Sequence, residues 1–204
     1  MLETNNYAEL CGVLAGKPVY SHTLHDQVFY TFPLEVQRLS GAVDTINILI
    51  RQELLDSIEP DESQHILVKG EIRSYNNKSG KGSRLVITVL AKQIVLTNDD
   101  DRNIVNLKGT ICKLPNLRRT PMGREICDIM LAVNRQYGRS DYLPCIAWGR
   151  YAEAVSVLDV GSVISISGRI QSRQYIKNEN GFPVEKTAFE VSAVEIEAQQ
   201  MPQI

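Results

Sequence analysis

In the second half of the chain Val105, Leu107 and Ile111 alternate with polar residues up to Lys113, the period of a half-buried β-strand. Another run opens at Gly123 and passes through Ile126 and Ile129 to Val133, followed by a third over Tyr142–Trp148. Val163, Ser165 and Ser167 alternate with Ile164 and Ile166 and lead into Gly168-Arg169-Ile170. A last strand is predicted around Phe189, Val191 and Ala193, against Glu190, Ser192 and Val194. Tyr151–Leu158 is the one helix-like stretch, ended by Asp159 and Gly161. Turns are expected at Pro121-Met122-Gly123 and Asn178-Glu179-Asn180-Gly181.

The same pattern occurs twice. A shift of 97 residues aligns Ala8–Leu14 with Val105–Ile111, Phe29–Arg38 with Ile126–Arg135, and Asp44 with Asp141. Shifts of 98 and 102 then match Gly70-Glu71-Ile72 with Gly168-Arg169-Ile170, and Val89-Leu90-Ala91 with Val191-Ser192-Ala193. Small loop insertions account for the drift. In the first copy the helix should cover Gln52–Ile58. Five strands with one short helix between the third and fourth is the order of the OB-fold, a Greek-key barrel. The expected fold is all-β: two tandem OB-folds, each a five-stranded barrel with one short helix. Residues 1–98 form a degenerate copy, 99–102 an acidic linker, 103–198 the second copy and 199–204 a short tail. Gly12, Gly70, Gly109 and Gly168 fall inside strands, where glycine marks a bulge or bend.

Composition narrows the function. Apolar residues make up 43% and charged residues 23% of 204 residues, ordinary globular values. No run approaches the roughly 18 apolar residues of a membrane span. Residues 1–5 lack the basic and apolar regions of a secretory signal, so a cytoplasmic protein away from membranes is expected. Cys11, Cys112, Cys127 and Cys145 are dispersed, with no C-x-x-C pair and no histidine nearby in sequence, so four buried thiols are expected and no metal. There is no Walker loop, no G-x-G-x-x-G and no triad-like serine, so neither catalytic residues nor a cofactor are expected.

Net charge, −2 overall, is unevenly spread: residues 106–178 hold 11 basic side chains against 5 acidic ones. A solvated face explains such a strip as well as an anionic partner does. Aromatic placement favours the partner. Tyr137, Tyr142, Trp148 and Tyr175 are interleaved with Arg135, Arg139, Arg150, Arg169, Arg173 and Lys177. Single-stranded nucleic acid needs this combination of flat π-faces for unpaired bases and cations for the phosphates between them. Taken alone, Trp148 is equally well a core residue, and stacking by itself does not separate DNA from RNA.

Residues 103–197 resemble the bacterial single-stranded DNA-binding proteins. The likeness rests on Asn106-Leu107-Lys108-Gly109, Leu117–Gly123, Leu131–Arg135, Cys145–Glu153 and Gly168–Arg173. It implies that the base-stacking aromatics are Tyr137, Tyr142, Trp148 and Tyr175, and that the protein serves DNA replication, repair or recombination. In that family four barrels commonly assemble, which for a chain of two barrels implies a homodimer. The family's acidic tail, which recruits replication and repair proteins, is not seen in Gln199–Ile204, and the loop between Arg135 and Tyr142 is short. The first copy places Ser40, Thr45 and Arg51 where the second has Tyr137, Tyr142 and Trp148. It should therefore support assembly, with Tyr75, Lys78, Lys81 and Arg84 left to touch a backbone. The rival expectation is a primosome-type or plasmid accessory factor that mainly binds protein partners.

Overall fold

A computed structural model describes residues 4–58, 63–77, 84–135, 138–179 and 181–198. The chain forms two compact units: Tyr7–Arg73 with Ile87–Ile104, and Val105–Ile204 with Met1–Asn6 and Ser74–Val86. The first contains β1 (Asn6–Leu14) from its second residue on, β2 (Val19–Leu24), β3 (Gln27–Gln37), β4 (Val43–Arg51), α1 (Gln52–Asp56), and most of β5 (His65–Asn76) and β6 (Leu85–Leu96). The second contains β8 (Asn116–Arg119), β9 (Glu125–Asn134), β10 (Ser140–Trp148), α2 (Arg150–Ser156), β11 (Val163–Glu179), β12 (Phe182–Ala198) and most of β7 (Arg102–Ile111).

Five strands close each barrel, as expected, and a short additional strand, β2 or β8, pairs with the next one as a hairpin outside the closure. The strand order is β2-β3-β4-β6-β5-β1 in the first and β8-β9-β10-β12-β11-β7 in the second, the same order six elements on. Pairing of β1 with β3 (Val13↔Glu35) and of β7 with β9 (Thr110↔Ala132) closes each sheet on itself. The parallel contacts match as well: Ile48↔Val89 in β4–β6 and Cys145↔Val191 in β10–β12. Those pairs differ by the 97- and 102-residue shifts of the sequence repeat.

The four strand glycines have a tighter job than bending. A Cβ on Gly70 would lie 2.1 Å from the Leu90 carbonyl oxygen, and one on Gly168 would lie 2.2 Å from that of Ser192. Gly12 and Gly109 face Glu35 and Ala132 carbonyls in the same way. Strands cross there at backbone-to-backbone distance, and a β-bulge falls between Ser167 and Gly168.

The inner faces are aliphatic: Ile46, Ile48 and Ile50 on β4, and Leu143, Cys145 and Ala147 on β10, are buried. Cys11, Cys127 and Cys145 are buried thiols as expected, but Cys112 is half-buried, with its thiol donating to the Met130 carbonyl at 3.3 Å. Burial is the main cause that pushes Cys127 up to about 11 and Cys145 higher still. Cys11 does have a histidine neighbour, His65, whose Nδ1 is 3.7 Å from its sulfur. The acidic stretch 99–102 belongs to the first unit, with Arg102 opening β7: the Asp101 carboxylate accepts the Gln37 backbone N–H and pairs with His65 Nε2 at 2.6 Å.

The helix in the first copy ends at Asp56 rather than Ile58, and α2 spans Arg150–Ser156 rather than Tyr151–Leu158. The larger difference is the β11–β12 hairpin, 17 residues per strand, whose register runs on to Glu179↔Phe182. Polar residues on both faces hide this arm from a periodicity search.

At the start of β1 the Glu9 carboxylate accepts from Arg102 Nη1 (2.6 Å) and the Tyr7 hydroxyl, and lies 3.2 Å from Lys69 Nζ. The Tyr7 and Arg102 hydrogen bonds hold Glu9 down to about 2. Burial, then the bond to Glu9, raises Tyr7 to about 12. A depressed carboxylate stabilises the fold above its unfolded pKa, about 4.3 for glutamate, and stops doing so as pH falls through its folded value. Glu9→Gln should therefore destabilise the chain at neutral pH. In urea melts the gap to wild type should narrow as pH drops from about 4.3 toward 2; a constant gap would contradict the network.

Candidate nucleic-acid interface

Alternation along β10 sends Asp141, Leu143, Cys145 and Ala147 inward and Tyr142, Pro144, Ile146 and Trp148 outward. Tyr142 is 52% and Trp148 36% exposed. Six residues apart on one face, they stand about 20 Å apart at a strand's rise of about 3.3 Å per residue. Buried Ile146 and, on β9, Ile126 opposite Trp148 form an apolar floor between and beneath them.

The indole of Trp148 is held by one hydrogen bond: its Nε1–H donates to the Ser192 hydroxyl at 3.1 Å. Ser192 lies on β12 opposite Arg169 of β11. Arg169 is half-buried, and its buried Nε has no hydrogen-bond partner. A buried unsatisfied donor is costly, and Arg169 and Trp148 are linked through Ser192, which one faces across the strands and the other bonds. Beyond Arg169 the alternation of β11 brings Gln171, Arg173 and Tyr175 to the same face. Gln171 donates to Glu190 at 2.8 Å, and the Arg173 guanidinium sits 5.7 Å from the centroid of the half-buried Tyr175 ring.

The expected cations separate into two groups. Arg139, Arg150 and Arg173 are exposed, with Arg150 also 4.9 Å from the Tyr151 ring centroid. Arg118 and Arg119, outside the expected set and themselves exposed, pair with Asp128 at 2.5 Å and Glu125 at 2.8 Å, while Arg135 is taken up by Asp141. Asp141 is fully buried, and Arg135 also donates to the Ser74 carbonyl at 3.0 Å. Ser74 in turn gives its N–H to Asp141 at 2.5 Å and accepts the Tyr142 N–H on its hydroxyl at 2.7 Å. Arg135 thus sits in a clamp that sets the start of β10. Tyr137 lies outside the described residues, as does the Lys177 side chain, although Lys177 itself is on β11.

In the first copy's share of the site, Tyr75 is 55% exposed and Arg84 exposed, but both belong to the second compact unit; Lys78 and Lys81 lie outside the described residues. Sequence reasoning missed Ser192 and Ser74. The repeat aligns Ser192 with Leu90, so it carried no sign of a role, and Ser74 acts across 68 residues of chain. Among the described residues no helix is long and apolar enough to cross a membrane, and no group of three or more acidic, histidine or cysteine residues is arranged to hold a metal.

Residues 102–199 match the single-strand binding protein family. The chain is 38% identical over 89 residues to single-stranded DNA-binding protein B of Bacillus subtilis, covering 40% of this chain and 78% of that protein. The chain belongs to the single-strand binding protein family. Single-stranded DNA-binding protein A of Bacillus subtilis is 36% identical over 100 residues, 46% of this chain and 58% of that one. The protein of Halalkalibacterium halodurans is 38% identical over 84 residues, 38% of this chain and 50% of that one. The chain thus spans between half and four-fifths of the length of these relatives, and the matches cover less than half of its own length. Across the whole chain the fold is that of the wild-type single-stranded DNA binding protein from Thermus aquaticus, at TM-score 0.77 and 21% identity over 98% of this chain and 95% of that chain. The expected class, two tandem OB-folds, is the class found.

Arg135→Ala should strip fully buried Asp141 of its guanidinium partner and lower stability by roughly 3 kcal/mol, the scale of breaking a buried ion pair. Urea unfolding reads this directly; an unchanged midpoint would mean that the clamp carries no stability.

Proposed function

We propose that this chain binds single-stranded DNA without a catalytic step and with tolerance for sequence, in the service of replication, repair or recombination. The observation that carries the reading is the outer face of β10: two exposed aromatics on one strand, with Trp148 oriented by Ser192, which stands opposite Arg169. Tyr142, Trp148 and Tyr175 would stack bases, with Tyr137 as a fourth from the sequence pattern. Arg139, Arg150, Arg169, Arg173 and Lys177 would follow the phosphates, while Arg135 positions β10. Membership of the family and the names of its relatives support the same ligand.

In this reading residues 103–198 carry the principal contacts, 1–98 mainly support assembly and 99–102 join them. Two chains pair to give four barrels, so light scattering should find a mass near twice 22.9 kDa. Trp148 stands on the outer face, across the strand from the aliphatic core, so Trp148→Ala should cost the melting temperature little. It should weaken oligonucleotide binding about 5- to 150-fold, the span of roughly 1–3 kcal/mol per stacked base. Unchanged affinity with a large drop in melting temperature would make Trp148 a structural residue. If the arginines meet phosphates, log affinity should fall with log salt by about 0.7 per contact. Arg150→Ala or Arg173→Ala should make that slope shallower, and a flat response in the wild-type protein would oppose the reading.

A further inference from the structure

The first barrel lacks aromatics at the positions of Tyr142 and Trp148, yet the three-strand neighbourhood of Trp148 has a counterpart there with its chemistry rearranged. In the second barrel Ile126 on β9 stands between Trp148 on β10 and Arg118 on β8, opposite both. In the first barrel Phe29 on β3 stands between Arg51 on β4 and His22 on β2 at the same register. Aromatic and cation have exchanged strands. A β-bulge in β2 between Tyr20 and His22 makes the exchange possible. Tyr20 pairs with Tyr30, as Leu117 pairs with Cys127, and one extra residue, Ser21, then brings His22 opposite Phe29.

The result is a ready-made platform. The imidazole of His22 lies parallel to the Phe29 ring, centroids 4.8 Å apart and planes 8° apart. Phe29 is only 9% exposed, whereas His22 is exposed, so one imidazole face is covered by the phenyl ring and the other is turned to solvent. The Ser21 hydroxyl lies 3.0 Å from His22 Nδ1 and steadies the ring. Arg51 lies on the outer face of β4 opposite Phe29, across β3 from His22, since Asp44, Ile46, Ile48 and Ile50 fill the inner face. On that outer face β3 and β4 present Thr31, Leu49, Pro33 and Asn47 before the first carboxylate, Glu35, six residues from Phe29. Like Trp148, the pair offers a π-face backed by apolar packing with a cation at hand.

We propose that His22, backed by Phe29 and flanked by Arg51, is a second stacking site for single-stranded DNA, on the barrel that has lost the family's aromatic positions. One base stacks on the open face of His22 and Arg51 meets an adjoining phosphate. A ring already held in place loses little further freedom on binding, which favours stacking even on a small aromatic. The proposal rests on the reading that the chain binds single-stranded DNA.

Ultraviolet cross-linking of the full-length protein to long and short oligo(dT), with the attachment sites mapped by mass spectrometry, tests both claims separately. The expected result is attachment in the β2–β3 hairpin as well as around Trp148, with the hairpin signal lost in His22→Ala and regained in His22→Tyr. Anisotropy titrations should show His22→Ala weakening long strands at least about 5-fold, the low end for one stacked base, and Arg51→Ala making the salt dependence shallower by about 0.7 in log–log slope, one phosphate contact. His22→Tyr should restore the affinity that His22→Ala loses. Attachment around Trp148 alone, with unchanged affinity in His22→Ala, would overturn the second site and leave the principal reading standing. No attachment on either barrel would remove both.

Discussion

Both barrels close because four glycines let one strand's backbone pass against another's carbonyl oxygens, at distances where a Cβ would collide. Everything that bears on function follows from that closure. A closed barrel has a strict inside and outside, so every second residue of β4 and β10 is committed to the aliphatic core. The remaining residues are presented outward in fixed register with their cross-strand neighbours. Trp148 can therefore stand over Ile126 with its indole N–H on Ser192, and Phe29 can stand under His22.

The duplication makes visible which features belong to the scaffold. Arg38–Asp44 and Arg135–Asp141 are the same ion pair in two copies, each with a fully buried aspartate. A group kept in both barrels, one of which lacks the Trp148 and Tyr142 aromatics, is explained by folding before it is explained by a ligand. The same comparison separates the cations by role. Arginines 118, 119 and 135 pair with carboxylates of their own barrel, the first two while still exposed, and 139, 150 and 173 are exposed. A positive stretch of sequence is thus thinner in space than its composition suggests.

Much of this was legible in the chain itself. Alternation and the 97- to 102-residue shifts anticipated the repeat, the all-β class and the strand that carries Tyr142 and Trp148. The short strands β2 and β8 escaped because Val19–Leu24 and Asn116–Arg119 are exposed along their whole length, so neither shows the period of a half-buried strand. The outer part of the β11–β12 arm escaped for a related reason, since it pairs backbone to backbone with little core beneath it. Tertiary partners were invisible altogether. Nothing in the local sequence ties Ser74 to Tyr142, Ser192 to Trp148, or a bulge at Ser21 to the orientation of His22.

Trp148 is the chain's single tryptophan, so its emission reports from one point on the outer face of β10. Titration of the full-length protein with oligo(dT), followed at once by tryptophan emission and by the anisotropy of a label on the strand, tests whether bases meet that point. Emission should be quenched in parallel with the rise in anisotropy and saturate with it, while duplex DNA should leave it nearly unchanged. Binding that raises anisotropy to saturation with the tryptophan emission undisturbed would place the DNA elsewhere and contradict the account.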